Sequence, residues 1–363
     1  METNIYFNED WKVLMRFFPK GWIAEAKKLG AFNRSRNIKS VKYLIRVLLI
    51  HLADGCSLRE TIARAKQGKL CDISDVALLK RLKGSSEWFR WMSVELLQNR
   101  GIEIKPPNWL KNYRVKSIDA SIITEPGSTG SNWRLHYNIN LFGLQCEQFI
   151  ITKPKKGESF RNFKIKKGDL LLGDRAYGRL SGFVHVKDNG GDYISRLKKD
   201  AFTIYKNGVE FNMLKEFKSL KYGQIRGWSV EGATKGGLSQ NLRLCVIKKS
   251  KQQIENSIKK AKRRASKGQY KLKPETLEYC KYYILATSLP KEIHAKQVLE
   301  LYRFRWQVEI AFKRLKSILG LGHLPKKDKE SCRAWLHGKM FVAILAQAVV
   351  DEGRYFSPWG YSI

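Results

Sequence analysis

Tyr302, Arg305, Glu309 and Lys316 stand at offsets of 0, 3, 7 and 14. On an uninterrupted α-helix, at ~100° per residue, all four fall within a ~60° arc, so one face carries an acid flanked by cations. Two upstream acids sit at the ends of apolar segments, Asp119 in VKSIDASII and Asp174 in DLLLGDRAYG. Converging carboxylates suit Mg²⁺, which prefers hard oxygen ligands and keeps several waters. Two such ions ~3.5–4 Å apart promote phosphoryl transfer by activating the attacking oxygen and stabilising the leaving one. Taken singly, each acid has an ordinary structural reading. Asp119 can end a strand, Asp174 can shape a turn, and Glu309 can pair with Arg305 or Lys313.

The elements that must position these groups are legible from patterning. Val115, Ser117, Asp119, Ser121 and Ile123 alternate with Lys116, Ile118, Ala120 and Ile122, which predicts a strand with Asp119 and two small hydroxyl residues on one face. Asp169 to Asp174 is a short apolar run suited to a buried central strand that presents Asp174 at its C-terminal end. Trp133 to Asn140 and Leu144 to Thr152 read as a hairpin, and Tyr282 to Ala286 as a further strand. The helix carrying Glu309 begins after Pro290. Its Phe304, Val308, Ala311, Phe312, Leu315 and Leu319 take an adjoining arc, so the polar stripe borders a buried face.

Residues 1–105 read as helical. Ser57 and Glu60 have capping-box spacing, and Asp72-Ile-Ser-Asp75 is a second start signal opening VALLKRLK. There Val76, Leu79 and Leu82 take one side while Lys80 and Arg81 project elsewhere, as in a short helix laid on DNA or in a core helix with a solvated basic face. The stretch between Asp174 and Glu309 exceeds what one strand and one helix need, which implies an inserted β-rich subdomain at about 200–280. Within it, residues 251–273 hold nine Lys or Arg and a single Glu, a solvated basic segment suited to phosphate contact. The expected layout is a helical DNA-binding region at 1–105, core at 106–199, the basic insertion at 200–280, core with the acid-bearing helix at 281–325, and a helical segment at 326–363.

Lys and Arg number 69 against 33 acids, a net charge of +36, and nucleic acid is the partner that such an excess fits. The basic residues are spread through the chain, which argues against a membrane surface. The longest apolar run, MFVAILAQAVV at 340–350, is too short to span a bilayer and reads as a buried helix. METNIYFNED does not read as a secretory signal. Six scattered cysteines without a Cys-x-x-Cys pair suggest neither zinc nor a disulfide framework, and a reducing cytoplasmic setting.

The spacing Tyr-x2-Arg-x3-Glu-x6-Lys, together with Asp119 and Asp174, resembles the signature of bacterial insertion-sequence DDE transposases of the cut-and-paste type. The likeness extends to GDRAYG, to SNWRLHY at 131–137 and to LATSLP, and covers roughly residues 70–320. It implies an α/β fold with an RNase H-like catalytic core and the inserted β subdomain. By position, it implies that Asp119, Asp174 and Glu309 are the catalytic, metal-binding triad for two Mg²⁺ ions, with Mn²⁺ as substitute. Tyr302, Arg305 and Lys316 would grip phosphate near the cleaved end, and Tyr283 would cap an extruded base. Arg175, next to Asp174, is placed to touch phosphate or tune the carboxylate. The implied partners are the transposon's inverted-repeat ends, target DNA and a second copy of the chain in the DNA complex, on the bacterial nucleoid. Trp133 and His136 match the family segment but are read as a packed Trp and a hydrogen-bonded His. The alternatives are an RNase H-like nuclease without strand transfer and a catalytically silent DNA-binding protein.

Overall fold

A computed structural model of the chain describes residues 11–98, 106–125, 132–142, 146–306, 309, 324 and 328–353. Its strands are β1 (Arg114–Ile123), β2 (Trp133–Asn140), β3 (Cys146–Thr152), β4 (Asp169–Gly173) and β5 (Asp192–Arg196), then β6 (Thr203–Lys206), β7 (Val209–Glu210), β8 (Ile225–Ala233), β9 (Ser239–Lys248) and β10 (Tyr282–Thr287). They form one mixed sheet in the order β3-β2-β1-β4-β5-β10-β9-β8-β6-β7. β4, buried along its whole length, runs parallel to β1 and β5, as its unbroken apolar run requires. The strands of the 200–280 region extend this same sheet: β9 pairs with β10, and β10 pairs with β5.

The β1–β4 pair keeps partners 55 residues apart from Arg114↔Asp169 to Ser117↔Leu172. A buried ion cluster fixes that register. Asp169, fully buried, accepts from Arg114 Nε at 2.9 Å, Lys116 Nζ at 3.0 Å and the Lys166 amide at 2.9 Å. Lys116, also buried, reaches Glu147 on β3 at 2.8 Å. Every partner of Asp169 is thus satisfied, the condition under which a buried charge is tolerable.

The helices Trp22–Lys28, Val41–Leu52, Leu58–Gln67, Asp75–Gly84 and Ser86–Gln98 share one core with the C-terminal helix Lys329–Gly353 and with Trp133, Leu135, Tyr137 and Ile139 of β2. Trp88, Phe89 and Phe341 lie at its centre. The apolar run at 340–350 is part of that C-terminal helix, and no helix among the described residues is long and apolar enough to cross a membrane.

Two local expectations are corrected. Ser57 caps its helix through the Glu60 amide as expected, but the next helix is capped by Ser74, which accepts from the Ala77 amide at 3.2 Å. Asp72 instead pairs with Lys66 at 2.8 Å. In that helix Leu78 and Leu82 are buried, four residues apart, while Val76 is 59% exposed, so the apolar stripe is rotated from the one expected. The basic segment forms a helix, Lys251–Lys267, capped reciprocally by Ser250 and Gln253.

His337, on the C-terminal helix, is buried with Nδ1 3.0 Å from the Ser86 hydroxyl, and burial pushes its pKa down to about 4. The native state therefore holds it neutral at pH values where the unfolded chain protonates it. That contribution to stability is complete above the ordinary 6.5 and is lost as pH falls from 6.5 towards 4. His337→Gln is expected to flatten the fall of Tm across that window. Parallel Tm profiles for the two proteins would contradict this account.

Candidate active site

Asp119 lies in the middle of β1, between Ser117 and Ser121 on the same face. Its Oδ1 accepts from the Ala120 amide at 2.8 Å, and its side chain is 18% exposed. The β1–β4 pairing ends at Ser117↔Leu172, two residues short of both Asp119 and Asp174, and the charge of Asp174 acts on the Asp119 carboxyl. Asp174 follows β4 directly and shapes a turn, with Oδ1 accepting from the Ala176 amide at 2.7 Å. Both glycines of GDRAYG are steric necessities. A Cβ on Gly173 would stand 2.7 Å from Tyr177 Cβ, and one on Gly178 2.7 Å from the Arg196 carbonyl oxygen.

The segment carrying Glu309 is fastened to both aspartate-bearing strands. Tyr302, in the helix Ala295–Arg303, donates its hydroxyl to the Gly173 carbonyl at 2.9 Å. Ser117 on β1 donates to the Arg305 carbonyl at 3.1 Å. Arg305 Nη1 lies 3.9 Å from Asp119 Oδ2, and its Nη2 donates to Glu309 Oε1. Arg305 therefore stands between two of the three expected acids. Among the described residues, no three His, Cys, Asp or Glu side chains stand close enough to share a metal ion.

Burial pushes the Asp119 carboxyl up to about 7, and the charges of Asp174 and Glu158 add to the rise while the Ala120 amide and Arg305 oppose it. The pocket thus places carboxylates in a half-buried setting. Its donors are all hard carboxylate oxygens, which fits a divalent ion of the Mg²⁺ class.

Several sequence-based placements change. The wheel that gathered Tyr302, Arg305 and Glu309 on one face assumed continuous α-helix, but a 3₁₀ turn at Phe304–Trp306 alters the rotation per residue. Tyr302, in the α-helix before that turn, is buried, at 3% exposure, and spends its hydroxyl on a backbone carbonyl rather than offering it to phosphate. Phe304, expected on the buried face, is 53% exposed. Glu309 is also exposed, whereas Lys316 lies outside the described residues.

Tyr283 and Tyr282 separate as alternation along β10 demands. Tyr282 is buried beside Phe217, while Tyr283 is half-buried beside Tyr302, with the Arg196 guanidinium 4.5 Å from its ring centroid. Arg196 was not singled out by sequence reasoning, and nothing distinguished it from the other scattered cations. Arg175 is exposed next to Asp174, with Arg196 and Arg264 among the charges that act on it. Lys80 is exposed, while Arg81 lies over Phe32 at 6.0 Å and donates to the Arg34 carbonyl at 3.2 Å. Trp133 is packed and donates Nε1 to Glu125 at 2.8 Å, and His136 is fully buried and hydrogen-bonded.

The family described as "Transposase DDE domain" matches residues 112–345. The putative transposase InsL for insertion sequence element IS186A of Escherichia coli (strain K12) is 28% identical, with 97% of each chain covered. The transposase for insertion sequence element IS421 of Escherichia coli is likewise 28% identical over 97% of each chain. Among solved structures, a piggyBac transposase synaptic complex with hairpin DNA covers 94% of this chain and 73% of its own, at 8% identity and a TM-score of 0.45.

Tyr302→Phe is expected to destabilise the protein by about 1–3 kcal/mol, because the Gly173 carbonyl is left buried without a donor. Urea unfolding measures this. An unchanged midpoint would mean that the hydroxyl faces solvent instead.

Proposed function

This chain belongs to the DDE-domain transposase family, and we propose that Asp119, Asp174 and Glu309 are the acids with which it cuts DNA at the ends of an insertion sequence and joins them to a target. The observation that carries the reading is the parallel pairing of β1 with β4, whose last pair, Ser117↔Leu172, lies two residues before both Asp119 and Asp174, with the Glu309 segment fastened over it through Ser117 and Tyr302. The five-strand order β3-β2-β1-β4-β5, with β2 antiparallel to both neighbours, supports an RNase H-like core.

Two Mg²⁺ ions, or Mn²⁺ in their place, would when bound activate the attacking oxygen and stabilise the leaving one. Asp119 on β1, Asp174 at the turn after β4 and Glu309 would hold them through carboxylate oxygens, and Arg305 would take phosphate. In the cutting step, water oxygen bonds to phosphorus, the P–O3′ bond breaks and the transposon end leaves as a 3′-hydroxyl. In the joining step, that hydroxyl attacks a target phosphodiester, so one phosphodiester bond forms as another breaks. No covalent protein intermediate is needed, and the buried hydroxyl of Tyr302 serves as a fastener.

Arg305, Lys316 and Arg175 are assigned to phosphate near the cut, and Tyr283 to an extruded base on the ring face opposite Arg196. The proposed layout keeps 1–105 for end recognition, with Lys80 and Arg81 on its basic helix, and 106–199 with 281–325 for chemistry. The insertion at 200–280 tracks the backbone through its basic helix, and within 326–363 the helix Lys329–Gly353 closes the helical layer. A homodimer holding two ends is the proposed working form.

Asp119→Asn, Asp174→Asn and Glu309→Gln should each abolish cleavage under Mg²⁺ while leaving end binding within a few-fold of the parent. Purified protein incubated with its flanking inverted repeats, a target plasmid and Mg²⁺ should yield joined products. Cut products alone would identify a nuclease, and a mobility shift alone a silent binder.

A further inference from the structure

The segment 153–159 leads from β3 into Phe160, whose ring lies 5.3 Å from that of Tyr177 in the turn after Asp174, and it carries a fourth carboxylate, Glu158, whose charge acts on Asp119 as that of Asp174 acts on Glu158. Glu158 is half-buried and has no hydrogen bond or ion pair with any described residue; the cations whose charges act on it are Arg134, Lys198 and Arg179. Tyr177, of the GDRAYG turn, is 1% exposed, and its hydroxyl is buried with no hydrogen-bond partner. The three acids that act on that hydroxyl are Asp119, Glu158 and Asp174, and burial together with their charges keeps it protonated and able to donate. A buried hydroxyl left without an acceptor is destabilising, so one kept in that state points to a ligand that accepts from it.

The loop that presents Glu158 is built rather than loose. Arg134 donates to the Lys156 carbonyl at 3.1 Å, and Asn162 Nδ2 donates to the Gly157 carbonyl at 2.8 Å. The same Asn162 amide lies 3.3 Å from His136 Nδ1, whose other nitrogen lies 3.0 Å from the Thr152 hydroxyl. His136 is neutral, pushed down to about 4 by burial and by Arg134 and Lys156, so Nδ1 accepts and Nε2 donates. Immediately beyond Glu158, Ser159 caps the turn through the Arg161 amide at 3.2 Å. Arg134 and His136 both come from SNWRLHY, so this segment, which no catalytic step had claimed, clamps the Glu158 loop.

We propose that Glu158 is a positioning residue of the active site which, together with the Tyr177 hydroxyl, holds a hydrated divalent cation beside Asp119 and Asp174. The inference rests on the metal reading given above. It acts through water because no three described acids are close enough to share an ion directly, and Mg²⁺ and Mn²⁺ sites retain water that outer carboxylates and hydroxyls orient.

Titration of the full-length, DNA-free protein with Mn²⁺, followed by electron paramagnetic resonance of the free ion, tests it. Glu158→Gln should weaken Mn²⁺ binding about 10- to 100-fold with Tm unchanged. Tyr177→Phe should leave the Tm of the cation-free protein equal or higher, since an orphan hydroxyl is removed, yet weaken Mn²⁺ binding. A purely structural tyrosine would not give that combination. Arg134→Ala should weaken binding in the same direction by freeing the loop. If Glu158→Gln lowers Tm by itself, Tyr177→Phe carries the test. Parental Mn²⁺ affinity in Glu158→Gln or Tyr177→Phe, alongside weakened binding by Asp119→Asn, overturns this inference and leaves the proposed function standing. Parental affinity in Asp119→Asn as well overturns both.

Discussion

The parallel register of β1 on β4 is the constraint on which the rest of the molecule depends. Side chains alternate with a period of two, so a slip of one residue would reverse the faces that β1 and β4 share and shift Asp119 against the turn that bears Asp174. Apolar pairing alone tolerates such slips, because Leu170, Leu171 and Leu172 are interchangeable as packing groups. Asp169 is not interchangeable. Its carboxylate is satisfied only when Arg114 and Lys116 stand beside it, and a shifted register would leave a buried charge without partners. The ion cluster at the start of β4 thereby decides where the acids fall at its end.

The second constraint is the docking of the Glu309 segment. Ser117 and Tyr302 bind main-chain carbonyls, so these two contacts fix backbone position without engaging the acid side chains. Arg305 meanwhile occupies the gap between Asp119 and Glu309 as an internal counter-charge. A cation and a phosphate arriving together could replace it without leaving uncompensated charge in the half-buried pocket.

Much of this was legible in the sequence where local periodicity reports on burial. The alternation through Asp119 and the apolar run before Asp174 gave β1 and β4, and the lone basic stretch became the helix Lys251–Lys267. The helical wheel through Tyr302 failed because one 3₁₀ turn, which no residue pattern announced, redirects the side chains beyond it. Leu78 rather than Val76 faces the core because the packing partner, not the apolar character of a single residue, chooses the stripe. The joining of β9 to β10 and of β10 to β5 is a non-local pairing that turn signals cannot disclose. Glu158 escaped notice because a loop carries no periodic signature, and its clamp comes from a different strand. Assignment to the transposase family came from a few spaced residues and is upheld by the family match across residues 112–345.

The helical layer unites residues far apart along the chain: Phe18, Trp22 and Leu52 pack in the same core as Trp335, Met340 and Phe341. A ribosome emits these groups hundreds of residues apart. The nascent helices must therefore wait, with apolar sides uncovered, until the 331–345 stretch emerges to complete their core, a delay that favours chaperone capture and late cooperative closure. Closure of the helical layer is thus timed to follow translation of the whole sheet.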